Sequence, residues 1–253
     1  MIYQEERLVT ILNYLKENRS MSTSDICDLY HVSRDTARRD IVRLVEQGAA
    51  IRTHGGIALL NLHHDILAYR DRLQTYSDEK MRIGQQATTL LQEKGCYFFN
   101  ASTTISCLAK QLDKNVTVFT QSLDVAELLS RNEHHSTVHL FGGRLNTSNR
   151  FFFSLTSMKE LENIHFDSAF LGVAAITEDG LYYQDQEDAW ITQLVAKQSA
   201  CTVILADHKK IRAEGRFKSL NWGQFDVLIT DQPLPDQMNK IALENGTQVV
   251  IAK

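Results

Sequence analysis

One stretch of the 253-residue chain limits what the rest can fold into: Ser33-Arg34-Asp35-Thr36-Ala37-Arg38-Arg39-Asp40-Ile41-Val42-Arg43-Leu44-Val45-Glu46. Ser33 is a preferred helix cap, because its hydroxyl accepts a hydrogen bond from an N–H group that the first turn leaves unbonded. Behind it, Ala37, Ile41, Leu44 and Val45 recur at spacings of four, three and one, which draws an apolar stripe down one side of a helix. Thr36, Arg39 and Arg43 stand at i, i+3 and i+7 on roughly the opposite side. Gly48 then supplies a stop. Such a helix buries one face in its own domain and presents short polar and guanidinium groups to something anionic and planar. For this helix alone the competing reading is a solvated face, with Asp35 and Asp40 partnering Arg39 and Arg43.

The flanks favour the first reading. Leu8, Ile11, Leu12 and Leu15 predict a helix over Glu5–Asn18, and Ser20-Met21-Ser22-Thr23 breaks it. Ser22 caps a second short helix with Ile26, Leu29 and Tyr30 as its inner face, ending near His31. Only His31-Val32-Ser33 separates it from the arginine-bearing helix, which is the helix-turn-helix arrangement. Ala49 to Ala58 reads as two short strands around Gly55-Gly56, a β-wing. Residues 1–58 are therefore expected to form a winged helix.

Charge is distributed to match. Residues 1–58 carry eight basic and eight acidic side chains, so the remainder holds the whole net charge of −4, as 19 against 23. Five of those eight basic groups fall between Arg34 and Arg52, a local positive field suited to a small reading head and not to a wrapping surface. No apolar run approaches the ~20 residues needed to cross a bilayer, and the N-terminus lacks a secretory leader. The expectation is a cytoplasmic protein with no membrane contact. Cys27, Cys96, Cys107 and Cys201 form no C-x-x-C pair and read as buried thiols. The doublets His63-His64 and His134-His135 lack metal-ligand spacing, so neither a metal nor a cofactor is expected.

Leu59 to Tyr76 contains no proline or glycine and reads as an ordered arm joining the head to residues 77–253. A helix begins at Ser77-Asp78-Glu79, with Ile83, Ala87, Leu90 and Leu91 as its inner stripe. Strands are predicted at Cys96–Phe99, Val116–Phe119, Val138–Phe141, Ser168–Val173, Thr202–Ala206, Asp226–Thr230 and Gln248–Ala252. Helices fall at Ile105–Gln111, Asp124–Arg131, Ser157–Asn163, Asp188–Gln198 and Pro235–Glu244. This alternation predicts an open, largely parallel α/β sheet covered on both faces. Polar residues collect after three strands, at Asn100 to Thr104, Thr120 to Ser122 and Gly142 to Arg144. The carboxyl rim of such a sheet is where ligands bind. Ser102, Thr103 and Thr104 open a helix whose free N–H groups suit a phosphate, although one such loop alone is an ordinary cap.

The residues also carry a family resemblance. Val32-Ser33-x-x-Thr36-x-Arg38-Arg39-Asp40-Ile41, Leu44, Gly48, Arg52 and His54-Gly55-Gly56 resemble the head of the DeoR family of bacterial repressors. The resemblance implies operator DNA at Ser33, Arg34, Thr36, Arg38 and Arg39, with Arg52 and His54 in the wing; Arg43 is expected against phosphates. From about Asp78 to Ile211 the chain is similar to that family's effector domain. This implies a fold like ribose-phosphate isomerases and a phosphorylated sugar as effector. The implied contacts are Asn100, Ser102, Thr103, Thr104, Gln121, Ser122, Gly142, Gly143, Arg144, Glu187, Asp207 and Lys210. Asn100 replaces the family's Asp, Ser102 its Gly, Gln121 its usual Asn, and Thr192 a common Lys. No catalytic residue is expected. The chain is expected to be a regulator, a repressor of a carbohydrate operon acting as a homo-oligomer, a dimer or a tetramer. The alternatives are a sugar-phosphate isomerase, or a regulator whose large domain only oligomerises.

Overall fold

The arginine-bearing helix is held by a buried charge. The computed structural model describes residues 4–18, 20–46, 49–53, 55–58, 77–132 and 136–253, and divides into two units, Met1–Arg70 and Asp71–Lys253. The first unit runs α1 (Gln4–Asn18), β1 (Ser20–Ser22), α2 (Thr23–Tyr30), α3 (Arg34–Glu46), β2 (Ile51–Thr53) and β3 (Gly56–Ala58). Ile11, Leu15, Ile26, Ala37, Leu44 and Ile57 pack its core. Asp40, fully buried, accepts from Arg7 Nε at 2.6 Å and from Gln4 Nε2 at 3.0 Å, tying α3 to α1. Asp40 is therefore not a partner for Arg43, and the solvated-face reading loses one of its two carboxylates.

Ser20 to Ser22 does more than break the first helix. It forms β1, with Met21 buried, and pairs with β3 in an antiparallel β1-β3-β2 sheet. The two wing glycines have different reasons: Gly55 takes φ +100°, while a Cβ on Gly56 would lie 2.1 Å from the Met21 carbonyl oxygen. Ser22 caps α2 as expected, reciprocally with Asp25. Leu29 corrects its assignment to the inner face, being 53% exposed: α2 is only eight residues long and Ile26 is its buried side chain. Gly48, His54, the arm 59–76 and the doublets at 63–64 and 134–135 lie outside the described residues.

The second unit continues with α4 (Asp78–Thr88), β4 (Cys96–Phe99), α5 (Thr103–Lys110), β5 (Thr117–Thr120), α6 (Leu123–Ser130) and β6 (Thr137–Leu140). A hairpin, β7 (Arg144–Asn146) and β8 (Phe151–Phe153), leads to α7 (Leu155–Leu161) and β9 (Ser168–Gly172). Then come β10 (Ala175–Thr177), β11 (Gly180–Tyr183), α8 (Gln186–Lys197), β12 (Thr202–Leu205), β13 (Phe217–Lys218), β14 (Val227–Thr230), α9 (Asp236–Glu244) and β15 (Gln248–Ile251). Seven strands make one parallel sheet in the order β15-β14-β12-β9-β4-β5-β6. Successive side chains alternate between two cores: Phe98 packs on one face, Tyr97 and Phe99 on the other.

Leu90 is a second correction. It is 42% exposed while Leu91 is buried, because α4 ends at Thr88 and the Thr88 and Thr89 hydroxyls bond back to the Gln85 and Gln86 carbonyls. The β7–β8 hairpin and the small β10-β11-β13 sheet are additions that no strand–helix alternation announced. Of the cysteines, Cys107 is buried; Cys27, Cys96 and Cys201 are half-exposed, and all four are free.

Replacing Asp40 by alanine removes the carboxylate that faces the buried Arg7 guanidinium and should cost ~3–5 kcal/mol in the head. Hydrogen exchange on the full chain is expected to lose protection over α1 and α3 while β4, β9 and β12 keep theirs; unchanged exchange in α3 would refute the role given to this pair.

Candidate functional site

Two polar surfaces emerge, one in each unit. In the head, Ser33 Oγ accepts from Thr36 N at 3.2 Å and lies 3.0 Å from Thr36 Oγ1, so Ser33 is the cap and Thr36 is half-buried beneath it. Arg34, Arg38, Arg39 and Arg43 are exposed on α3, and Arg52 is exposed on β2. Arg39 Nε donates to its own helix at the Asp35 carbonyl, 3.3 Å, and Arg43 donates to Gln4 Oε1 at 3.0 Å. Arg38, Arg39, Val42, Arg43 and Gln4 line a shallow hollow of about 390 Å³. Guanidinium groups spaced along one exposed helix face, behind a capped N-terminus, fit base edges and phosphates of a duplex.

In the large unit, the chain leaves β4 toward β5 on one side and leaves β9 toward β12 on the other. The adjacent carboxyl ends of β4 and β9 are thus the switch point of the sheet, where an open α/β fold forms a crevice. Asn100 and Gly172 stand there. The buried Asn100 amide donates to the Gly172 carbonyl at 2.9 Å and accepts from the Gly172 N–H at 2.8 Å; Tyr183 Oη donates to the same carbonyl at 2.8 Å. A carboxylate at position 100 has no proton to give the carbonyl, so the amide suits this bridge where an aspartate would not. Ser102 makes a second accommodation. A Cβ on Gly172 would fall 2.0 Å from Ser102 Oγ, so the space that Ser102 fills is left by Gly172.

Ser102 caps α5 by accepting from Thr104 N, and Thr103 Oγ1 accepts from Lys80 Nζ at 3.1 Å. Lys80 also stands 3.9 Å from Asp207, which caps the turn His208–Lys210. The half-buried Lys210 closes that turn. Next to it, Asp231 accepts from His208 N at 2.7 Å and faces His208 Nδ1 at 2.6 Å. Lys80 thereby brings Thr103 and Asp207 together from the ends of β4 and β12, two positions apart in the sheet with β9 between them.

A second group gathers where β5 meets α8. Gln121 is buried and donates to Asp188 Oδ1 at 3.4 Å. Burial, then the nearby Asp185 carboxylate, pushes the Asp188 acid up to about 8 against the opposing Gln121 hydrogen bond. Burial likewise pushes the Tyr183 phenol upward. Arg144 pairs with Glu187 on the exposed side. Ser122 is a cap, accepting from Val125 N, and Thr104 is buried. Gly142 is exposed, while Gly143, at φ +141°, is fixed by close approach to the Phe153 carbonyl. Asn100 with Ser102, Thr103 with Asp207, and Arg144 with Glu187 are brought together; His54 lies outside the described residues. Thr192 was noted by sequence only as standing where the family commonly has a Lys; Lys80, Gly172, Tyr183, Asp188, His208 and Asp231 were not picked out. Only Asp188, adjacent to Glu187, had a signal there.

A winged helix-turn-helix head followed by a parallel α/β domain with a polar crevice defines a ligand-responsive transcriptional regulator. Residues 7–62 match the DeoR-like helix-turn-helix domain and residues 75–232 the DeoR C-terminal sensor domain, and the chain belongs to the DeoR family. Over 254 residues it is 38% identical to the HTH-type transcriptional repressor GlcR of Bacillus subtilis, covering 100% of this chain and 98% of that protein. It is 26% identical to the glycerol-3-phosphate regulon repressor of Escherichia coli, covering 97% and 98%. It is 25% identical to the lactose phosphotransferase system repressor of Streptococcus mutans, covering 94% and 96%. Among solved structures, ribose 5-phosphate isomerase A of Neisseria gonorrhoeae overlaps 55% of this chain and 56% of its own, at 18% identity and a TM-score of 0.38.

Adding a methyl group at Gly172 should overpack the crevice and cost ~1–3 kcal/mol, and Ser102→Gly in the same chain should recover most of it. Denaturant unfolding of the two variants checks this; additive losses would show that the two residues are independent. An acid raised in the folded state stabilises fully below its unfolded value and loses that contribution as pH climbs toward its folded one. Asp188→Asn should therefore flatten a fall in stability between about pH 4 and pH 8. Parallel pH–stability curves for the two proteins would contradict the buried acid.

Proposed function

We propose that the chain is a repressor of a carbohydrate operon whose grip on operator DNA is set by a phosphorylated sugar. The observation that carries the reading is the pairing of an exposed arginine face on α3 with a polar crevice at the β4–β9 switch point. In this reading residues 1–58 read DNA, 59–76 link, and 77–253 sense the effector and hold the oligomer. Thr36 and Arg39 face bases, and Arg34, Arg38 and Arg43 meet mostly phosphates, with Arg52 and His54 in the wing. The effector's phosphate lies at the Ser102–Thr104 loop with Lys210. Asn100, Gln121, Ser122, Gly142, Gly143, Arg144, Glu187 and Asp207 surround the sugar.

The relatives support this: one is named a glycerol-3-phosphate regulon repressor and another a repressor of a lactose phosphotransferase system. They also support the absence of catalysis, since they are named as regulators. No helix of the described residues is long and apolar enough to cross a membrane, which agrees with a cytoplasmic location. A single small head per chain favours a homo-oligomer, dimer or tetramer, on paired half-sites.

Two measurements test the reading. Arg39→Ala should weaken operator binding by about 1–3 kcal/mol and relax the preference at one base pair. An unchanged sequence preference in a selection from random duplexes would remove Arg39 from the base-reading set. In a thermal-shift panel of phosphorylated sugars on the full chain, a binder at ~100 times its dissociation constant should stabilise the fold by roughly 2.7 kcal/mol. A flat panel would leave the large domain without its effector.

A further inference from the structure

The buried end of the crevice narrows the effector's chemistry, an inference that rests on the reading above. Gln121 is 1% exposed, and while its amide nitrogen is engaged by Asp188, its Oε1 has no hydrogen-bond partner among the described residues. Thr192 is fully buried; its hydroxyl stands beside that of Tyr183 but finds no partner at bonding geometry. Asp188 and Thr192 are four residues apart on α8 and share one face of it, toward Gln121 and Tyr183. A buried acceptor without a donor is unfavourable, so this spot is built for something that supplies one.

The surrounding charges say what that something carries. Asp188 is joined by Asp185, whose oxygens accept from Asn146 and Asn149, and by Glu187, which engages Arg144. Among the ion pairs of the described residues, none brings a cation to Asp185 or Asp188. Arg144 is held by Glu187 on the exposed side, and a mostly buried cation suited to an anion stands at Lys80 beside Thr103. We propose that Gln121, Asp188 and Thr192 form a polyol pocket that takes the uncharged, hydroxyl-bearing end of a phosphorylated sugar and refuses a second anion there. A hydroxyl fits each atom: it donates to Gln121 Oε1 and accepts from Thr192 Oγ1. With its acid raised to about 8, Asp188 is mostly protonated at neutral pH and donates as well. A carboxylate or second phosphate brings only acceptors into an acidic surround.

Calorimetric titration of the full chain tests this with matched probes: glucose 6-phosphate, fructose 6-phosphate and ribose 5-phosphate against 6-phosphogluconate and fructose 1,6-bisphosphate. At least one monophosphate is expected to bind at least about tenfold tighter than its carboxylate or bisphosphate counterpart. Thr192→Val should weaken that monophosphate about fivefold to tenfold, and Thr192→Ser, which keeps the hydroxyl, should recover what valine loses. Equal affinity for the monophosphates and for the probes that carry a second anionic group, or an unmoved Thr192→Val, would overturn the polyol pocket alone. No binding by any probe would overturn the sugar-phosphate reading with it.

Discussion

Two hydrogen bonds between the Asn100 amide and the Gly172 backbone carry the pairing of β4 and β9 past the end of their ladder, at the one junction of the parallel sheet that no direct chain connection crosses. The strands β4 and β9 are neighbours, but the chain leaves them in opposite directions. An amide satisfies both the N–H donor and the carbonyl acceptor of Gly172, whereas an ionised carboxylate can only accept. With the bridge in place, Gly172 has room for Ser102 and a carbonyl for Tyr183, and the loop that caps α5 is fixed relative to both cores. Asn100 and Ser102 thus both fit against Gly172, Asn100 on its backbone and Ser102 in the space that a Cβ there would take.

The head follows the same logic with a different interaction. Burying Asp40 against Arg7 and Gln4 fixes the roll of α3, and with it the direction in which Arg38, Arg39 and Arg43 project. The cost of enclosing charge is offset only by good geometry and by the extra hydrogen bond from Gln4. Its return is a reading face whose guanidinium groups are not consumed by the helix's own acids. One domain uses a buried pair for orientation; the other buries an acid, raised to about 8, against Gln121.

Much of the head was legible because its signals are local: the Ser33 cap, the stripe of Ala37, Ile41 and Leu44, and the glycines of the wing. Leu29 was misjudged because a helix of two turns has room for little more than Ile26 inside. The parallel sheet was legible from alternation, but its order was not, and the crevice depends on order. Nothing in residues 168–172 says that β9 returns beside β4 instead of extending past β6. Gly172, Tyr183 and Thr192 were therefore invisible as partners of Asn100 and Gln121, and Lys80 reads from sequence as one more charge in a first turn. Leu90 failed for a local reason, since the helix ends at Thr88, where threonine hydroxyls bond back to the chain, before the stripe reaches Leu90.

The proposed function makes the crevice and the arginine face of α3 parts of one linked equilibrium. Coupling of that kind is reciprocal: a ligand that changes operator affinity by some factor must have its own affinity changed by operator by the same factor. The direct measurement is a pair of titrations on the full chain, operator binding by anisotropy with and without saturating sugar phosphate, and sugar-phosphate binding by calorimetry with and without operator. The account predicts equal factors of about fivefold to one-hundred-and-fifty-fold in both directions. A sugar phosphate that binds tightly yet leaves operator affinity unchanged would contradict it.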